Sequence, residues 1–261
     1  MGETPMLRYN RRSHMNTALA FLAHPDDAEI LCGGVLIRLA EKGWKIHIAT
    51  ATAGDCGTML ENRFDISAIR TQEATKAAAM IGGVYHCLDE RDGLVCYDKQ
   101  TVQKAVDLFR RVAPSLVFTH ALADYMMDHE MTAMIARAAS FVYSAPNISA
   151  HPLRPGSGIP HLYYCDPVEG KDPYGKVVEP TTVIDVSSQL KKKLEMLACH
   201  VSQREWLREH HGIDEYIDAV RRIAGERGKL IGAEAAEGFV QHLGHGYPGN
   251  DLLKEMLGGT K

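Results

Sequence analysis

Short apolar runs alternate with amphipathic stretches along the first half of this 261-residue chain, and the alternation limits the folds available to it. The apolar runs have the length of strands, the amphipathic stretches have a helical period, and glycine or proline ends most of the helices. Strands are predicted at 17–23, 45–52, 84–88 and 116–120, and helices at 29–42, 66–81, 99–112 and 129–143. This order predicts an α/β fold with a Rossmann-like, doubly wound, mostly parallel sheet flanked by helices.

The pattern changes after residue 143. Residues 144–180 are rich in Pro, Gly and His, which indicates loops around one strand at 161–165. A last strand at 183–186, helices at 189–197 and 214–227, and an irregular tail from Gly238 complete the prediction. We interpret the chain as one domain of residues 1–261, in which 15–143 form the Rossmann-like core and 144–261 form a C-terminal cap region, the last strand and the C-terminal helices.

Composition excludes several classes of protein. Hydrophobic residues make up 45% of the chain and charged residues 24%, which is typical of a soluble globular protein. The net charge of -4 and the dispersed basic residues predict no nucleic-acid partner. Apolar stretches stay shorter than the ~20 residues of a membrane span. The apolar content permits association of copies into a homo-oligomer.

The cysteines and the start of the chain bear on the cellular compartment. The six cysteines include no CxxC pair and resemble no zinc ribbon, so we expect most of them to be buried free thiols, as in a reducing cytoplasm. Residues 1–14 are polar and show no apolar stretch of signal-peptide type. A cytoplasmic location is therefore expected.

The stretch from Ala23 to Glu29 carries the strongest chemical signal. It follows the first strand, and the carboxyl ends of strands are where open α/β sheets place their ligands. His24 and Asp27 can converge across a turn that Pro25 stiffens, and together they can bind a divalent cation, while Asp26 is left to handle a water. The alternative is an ordinary loop with an aspartate as helix N-cap. The crowding of three charged groups favours the cation, because such groups are costly without one.

A second cluster, from Asp124 to Glu130, follows the strand at 116–120. In a doubly wound sheet this strand can lie beside the first, so His129 could supply a third ligand. Two histidines and one carboxylate form a typical catalytic zinc set, although the same ligands accept Fe²⁺ or another divalent metal. The alternative is that His129 lies on the first turn of its helix, which Asp128 would cap.

These motifs resemble those of the LmbE-like (PIG-L) family of deacetylases. The similar segments are His-Pro-Asp-Asp-Ala-Glu-Ile from His24, Asp128-His129, Arg70 with Glu73-Ala74, and His200 with Ser202-Gln203, and they spread over residues 17–205. The resemblance implies a zinc-dependent N-deacetylase, an amidohydrolase with a Rossmann-like fold. Its substrate would be a small N-acylated amino sugar or sugar conjugate, from which it would remove an acetyl group at the amide nitrogen.

The resemblance also implies roles for individual residues. His24, Asp27 and His129 match the zinc ligands of the family, and Asp26 matches the general base that acts on the metal-activated water. Arg70 matches an arginine that binds substrate or braces the acids. Asp128 matches the acid beside the last ligand, which is expected to orient an imidazole.

One position departs from the family pattern. Met126 stands where many members have a histidine that is thought to stabilise the oxyanion or protonate the leaving amine. We therefore consider His120, Tyr125 or a histidine of the cap as its substitute, and we expect Tyr125 and Met126 to contact substrate. Tyr216 is interpreted as a packing residue. A metal-dependent hydrolase of a different amide or ester, and a non-catalytic metal- or carbohydrate-binding protein on the same fold, are the alternative functions.

Overall fold

The computed structural model describes residues 16–211 and 216–260, where a seven-stranded sheet lies between two layers of helices. The polar start discussed above, residues 1–14, lies outside the described residues. The strands are β1 (Thr17–Leu22), β2 (Lys45–Thr52), β3 (Val84–Glu90), β4 (Leu116–Thr119), β5 (His161–Cys165), β6 (Thr182–Asp185) and β7 (Ala236–Gln241). The helices are α1 (Asp27–Leu31), α2 (Gly33–Glu41), α3 (Arg63–Ala79), α4 (Lys99–Val112), α5 (Met127–Val142), α6 (Leu190–Leu197), α7 (Val201–His211), α8 (Tyr216–Lys229) and α9 (Leu252–Leu257).

The sheet has the order β3-β2-β1-β4-β5-β7-β6. The first five of these strands pair in parallel, and β7 runs antiparallel to both of its neighbours. The chain order reverses at β1, where one half of the sheet grows through β2 and β3 and the other through β4 and β5. The predicted mostly parallel, doubly wound α/β fold is confirmed.

The central strand β1 pairs directly with β4, as the second sequence cluster required. Ala18 lies opposite Leu116, and Ala20 lies opposite Phe118. Every residue of β1 is buried, which is typical of a parallel strand covered by helices on both faces. Because the two strands run in the same direction, the loops that follow them open side by side at one edge of the sheet.

Two hydrophobic cores cover the two faces of the sheet, as the period-2 alternation of strand side chains requires. Ala18, Ala20 and Leu22 of β1 contribute to the core that contains residues of α2, α6, α8 and α9. Leu19 and Phe21 contribute to the opposite core, which contains residues of α4 and α5. The carboxyl edge of the sheet is thus held between two packed layers.

A buried ion pair joins the C-terminal strand to the first helices. The carboxylate of Glu237 in β7 accepts hydrogen bonds from the backbone amides of Gly34 and Val35, at the start of α2, at 2.7 and 2.8 Å. Lys193 of α6 donates to the same carboxylate at 2.6 Å and to the carbonyl of Ile30 at 2.9 Å. The negative charge lies at the positive end of the α2 dipole, and the bond to Ile30 holds α1, so β7 and α6 fix both helices that follow the His24 loop.

Several local expectations differ from the structure. The helix predicted at 29–42 is divided into α1 and α2 at Cys32, whose φ of −140° interrupts the helical backbone. The tail predicted as irregular from Gly238 is only partly so, because its start belongs to β7, which lies between β5 and β6, and Leu252–Leu257 form α9. Helix α7 was not predicted at all. The division into a core and a cap region stays a prediction, although β5, β6 and β7 all extend the same sheet.

The cysteines only partly follow the expectation. All six are free, but Cys56 and Cys96 are exposed and Cys87 is half-buried, so the thiols are not mostly buried. Within residues 16–211 and 216–260, each helix is too short or too polar to cross a membrane.

A histidine pair on neighbouring strands predicts a pH effect on stability. His47 of β2 stacks on His86 of β3, with Nδ1 of His47 2.9 Å from Nε2 of His86. Burial, and then the charge of His86, lowers the pKa of His47 to about 4 from its usual 6.5. The unfolded chain therefore binds more protons between these values, and the free energy of unfolding falls as pH drops from about 6.5 towards 4.

Replacing His47 by Gln removes one titrating group, so the free energy of unfolding should depend less steeply on pH in this window. Urea denaturation at pH 7, 6, 5 and 4 measures the two slopes. Equal slopes for the wild type and His47→Gln would contradict the assignment.

Candidate metal centre and active site

The loop after β1 brings its chemical groups together through an unusual backbone. Asp26 has a φ of 101°, in the left-handed region that residues other than glycine seldom adopt. Such a conformation costs on the order of 1–3 kcal/mol, and its occurrence at a buried aspartate is typical of a functional site. The Asp27 carboxylate accepts a hydrogen bond from the His24 amide at 2.7 Å and thereby closes the turn.

The structure brings the three candidate ligands together. His24, Asp27 and His129 each offer a ligand atom within 4.8 Å of the others, and all three residues are buried. Oδ2 of Asp27 lies 3.4 Å from Nδ1 of His24, and Oδ1 lies 3.7 Å from Nε2 of His129. The two histidines come from different strand ends, so the cluster depends on the pairing of β1 with β4.

Carboxylates hold the far nitrogen of each imidazole. Oδ1 of Asp124 lies 3.0 Å from Nδ1 of His129. Nε2 of His24 lies 3.1 Å from Oδ1 of Asp92 and 3.3 Å from Oδ2 of Asp128. Each carboxylate can accept the proton of the ring nitrogen that it faces, which leaves the other nitrogen with its lone pair turned towards Asp27. This arrangement is typical of histidines that bind a metal.

Asp128 thus lies where a partner of an imidazole is expected, but the imidazole that it contacts belongs to His24. Its carboxylate also accepts hydrogen bonds from the amides of Gly93 and Val95, at 2.7 and 3.2 Å. These two amides belong to the loop that follows β3. Asp128 therefore ties together the ends of β1, β3 and β4.

The carboxylates of the cluster stabilise positive charge on its imidazoles. Although burial acts to lower it, the pKa of His24 is well above its usual value because Asp128, Asp27 and Asp92 surround the ring. The pKa of His129 is also raised, against burial, by Asp27 and Asp124. Burial acts to raise the pKa of Asp27, but His129 and His120 hold it well below its usual value.

These residues fit a divalent cation. Two imidazoles and one carboxylate converge on one point, and each imidazole has a carboxylate partner at its outer nitrogen. A buried group of this kind is costly without a compensating charge. The same donors accept Zn²⁺ and Fe²⁺, so the donor set does not select between them.

Asp26 is held apart from the ligand cluster by other partners. The hydroxyl of Tyr216 in α8 donates to its Oδ2 atom at 2.6 Å, and the guanidinium of Arg70 lies 3.9 Å from the same oxygen. Burial raises the pKa of Asp26, and the charge of Arg70 opposes that rise. The interpretation of Tyr216 as a simple packing residue is incomplete, because its hydroxyl makes a direct contact with the candidate base.

Arg70 braces the loops around the site. Its guanidinium donates to the carbonyl of Pro25 at 3.0 Å and to the carbonyl of Gly54 at 3.2 Å. Gly54 has a φ of 70°, and a Cβ atom at this position would overlap the guanidinium. Two of the donors of Arg70 are thus used by backbone carbonyls, which favours bracing over substrate binding.

The candidates for the role of the missing histidine lie at different depths. His120 is fully buried and stacks on His129 with 3.8 Å between ring centroids, and burial lowers its pKa to about 4. It lies behind the ligands, which does not favour contact with a substrate. Tyr125 is 68% exposed and meets the ring of His129 edge-on, and Met126 is half-buried. Both line the cavity described next.

A cavity of about 740 Å³ opens over the cluster. Its polar side contains His24, Asp26, Asp27, Asp92 and His129. The same cavity is lined by both imidazoles, by the candidate base Asp26 and by Met126, the residue that replaces the histidine of the family pattern. A small molecule in this cavity would contact the metal site and Asp26 at the same time.

Sequence reasoning missed three residues of this site. Asp92 follows β3 at the same sheet edge, so the rule that selected His24 could have selected it. Asp124 stands in the second cluster but received no role, and its contact with His129 depends on the turn between β4 and α5. Nothing in the sequence around Tyr216 distinguishes it from a helical core residue, because the contact with Asp26 spans 190 positions.

The fold and the site together define an α/β protein with a His/Asp cluster that could bind a metal at the carboxyl edge of its sheet. Residues 19–140 match the family model described as PIG-L, GlcNAc-PI de-N-acetylase. The matched segment contains His24, Arg70 and His129, and it confirms the resemblance predicted from the sequence.

Relatives of known function include two kinds of enzyme. The chain is 27% identical over 205 residues to 4-oxalmesaconate hydratase of Pseudomonas putida, covering 74% of this chain and 76% of the relative. It is 26% identical over 232 residues to diacetylchitobiose deacetylase of Thermococcus kodakarensis, covering 83% and 79%. The N,N'-diacetylchitobiose deacetylase structure from Pyrococcus horikoshii superposes with a TM-score of 0.72 at 24% identity, covering 91% and 88%, and supports the fold.

Metal binding tests the ligand set. We expect His129→Ala to lose its divalent metal because one of the three ligands is removed. Asp124→Asn should weaken metal affinity by about 10–100-fold, since it keeps the ligand but loses the carboxylate that orients it. Competition with a chromogenic chelator, together with metal content after reconstitution with Zn²⁺, measures both effects.

The matched controls are His151→Ala and Asp218→Asn, which alter exposed side chains, and they should bind metal like the wild type. Wild-type affinity in His129→Ala would contradict the ligand assignment. Wild-type affinity in Asp124→Asn would contradict the orienting role alone.

Proposed function

We propose that the protein is a metal-dependent N-deacetylase that removes an acetyl group from an N-acylated amino sugar or sugar conjugate. His24, Asp27 and His129 hold the metal, and Asp26 is the general base. The observation that carries the proposal is the position of Asp26. It lies one residue from a candidate ligand and lines the cavity, but Tyr216 and Arg70 hold its carboxylate outside the ligand cluster.

A bound divalent cation would supply a Lewis acid that lowers the pKa of a water towards ~7 and polarises the amide carbonyl. Asp26 accepts a proton from this water as its oxygen bonds to the carbonyl carbon. The Tyr216 hydroxyl occupies Oδ2 of Asp26, so the other oxygen of the carboxylate is the one available to the water. Arg70 fixes the loop through Pro25 and keeps the carboxylate in place.

The C–N bond then breaks, and the amine must take up a proton because an amide anion is a poor leaving group. The thioether of Met126 carries no proton to give. Asp26 holds the proton taken from the water and faces the same space, so it can return that proton to the nitrogen. The products are a free amine and acetate.

Replacing Asp26 by Asn should leave the metal in place and lower kcat by about 10²–10⁴-fold, since an amide cannot accept the proton. Acetate release from N-acetylglucosamine and related conjugates, with and without a chelator, is the measurement. Asp218→Asn is the control for an exposed aspartate. Turnover near that of the wild type in Asp26→Asn would show that another group is the base.

Replacing Tyr216 by Phe should keep the metal and lower kcat about tenfold, because Asp26 loses a hydrogen bond of the kind made to charged groups. Its effect on KM should be smaller. Tyr247→Phe is the matched control, because that hydroxyl bonds Ser140 and the Arg137 carbonyl away from the cavity. An equal loss of kcat in both variants would indicate a general effect on folding.

A hydratase is the second candidate, and Met126 is the observation that favours it. Addition of water to a carbon–carbon double bond releases no amine, so no leaving group needs a proton from the position of Met126. One carbon gains the hydroxyl, and Asp26, which would take the proton from the water, could return it to the other carbon. The hydratase relative has comparable identity to the deacetylase relative. The acids Asp26, Asp27 and Asp92 in the cavity oppose this candidate, because they repel a substrate that carries several carboxylates.

The two candidates separate in one assay. The metal-loaded protein is given N-acetylglucosamine conjugates in one series and unsaturated di- and tricarboxylates in another. Acetate release without loss of the double-bond absorbance supports the deacetylase, and the reverse supports the hydratase.

A further inference from the structure

The cavity over the metal site has two unlike walls. Besides the imidazoles and acids, the cavity is lined by an apolar wall, whose residues come from the end of α1, the turn after β5 and helices α7 and α8. It consists of Ile30, Val168, Trp206, Leu207, Val220 and Ile223. A sugar ring can lay its apolar C–H face on the ring of Trp206, but the five aliphatic side chains of the wall can hydrogen-bond none of the hydroxyls on its edges.

The apolar wall is aligned with the candidate base. Tyr216, Ala219, Val220 and Ile223 lie on one face of α8, at the i, i+3, i+4 and i+7 positions. The first of them donates its hydroxyl proton to Asp26, so this face starts at the reacting group. From Tyr216 to Ile223 the helix rises about 10 Å, which gives the apolar face the length of a short alkyl chain or an aromatic ring.

The charged residues of the cavity do not form a binding site for a charged ligand group along this wall. Arg70 is engaged by two backbone carbonyls and faces Asp26. Two other charged residues line the cavity beside apolar positions of the wall: Arg222 precedes Ile223, and Glu169 follows Val168. Both are exposed, and their charges are opposite. The wall is therefore suited to apolar matter rather than to a second charged group.

We propose that the substrate carries an apolar group close to the scissile amide, and that this group lies against the wall formed by α7 and α8. The inference rests on the proposed deacetylase function for the amide that it names. The group is an acyl chain on the nitrogen or an apolar aglycone on the sugar, which share the same chemistry. Ile223, Leu207 and Trp206 are then residues that determine specificity.

Two substrate series distinguish the sources of the apolar group. The first extends the acyl group of glucosamine from acetyl to hexanoyl, and the second extends the aglycone of N-acetylglucosamine from methyl to hexyl. Each buried methylene should raise kcat/KM by up to about fourfold. We expect an increase of roughly tenfold or more across one series, since part of the chain remains in water.

Variants of α8 locate the effect. In Ile223→Ser the dependence on chain length should become flatter, because a polar side chain replaces part of the wall. Ile217→Ser is the matched control, since Ile217 is a half-buried residue of the same helix that lines a separate surface groove, and it should retain the dependence. A dependence as steep in Ile223→Ser as in the wild type would overturn the assignment of the wall.

A binding measurement keeps the inference testable without turnover. Acetohydroxamate and hexanohydroxamate are titrated by calorimetry into the Zn²⁺-loaded wild type. The inference predicts tighter binding of the longer chain. Amide turnover that is flat in both series, with equal hydroxamate affinities, would overturn the inference and leave the deacetylase proposal standing.

The remaining outcomes also separate the two proposals. If no amide is hydrolysed but hydroxamate affinity rises with chain length, the deacetylase proposal fails and the apolar subsite stands. If no amide is hydrolysed and the affinities are equal, both fail.

Discussion

The site depends above all on the parallel pairing of β1 with β4. His24 and His129 are 105 positions apart in the chain, and only the adjacency of these two strands at the centre of the sheet brings their loops together. The same pairing carries Asp128 to His24 and His120 behind Asp27. Both strands are buried on two faces, so their register cannot shift without exposing apolar side chains. The geometry of the cluster is therefore set by the core of the protein rather than by its loops.

Five aspartates lie at this edge of the sheet, and they differ in the groups that they contact. Asp27 faces the imidazoles, Asp92, Asp124 and Asp128 bind their outer nitrogens, and Asp26 is turned towards Arg70 and Tyr216. The left-handed backbone at Asp26 makes this separation between adjacent aspartates possible. At a regular helix start, the side chain of the N-cap aspartate would turn back to accept hydrogen bonds from the first amides of the helix. The Asp26 side chain makes no such bond. The strained turn instead gives neighbouring residues different partners and therefore different chemistry.

The sequence predicted the parts that local pattern controls. The alternation of apolar runs located β1 to β4 and α3 to α5, and the rule for strand ends located His24, Asp27 and His129. It did not locate β7 or α7, because Ala236–Gln241 and Val201–His211 carry weak periodic patterns and owe their structure to tertiary contacts. The contact of Tyr216 with Asp26 was not predicted for a related reason. A tyrosine on an apolar helix face looks like a core residue until the fold brings Asp26 to its hydroxyl.

The ligand cluster and the apolar wall lie on different stretches of the chain, and this separation has an evolutionary consequence. The segment matched by the family model ends at residue 140, whereas most of the wall comes from residues beyond 165. Substitutions in α7 and α8 can change what the cavity accepts without disturbing the residues that converge between β1 and β4. Under the proposed function, a lineage with this arrangement could change its substrates and keep the proposed metal site. Tyr216 is the exception, because it lies on α8 but its hydroxyl contacts Asp26, so a change there would reach the proposed base as well as the wall.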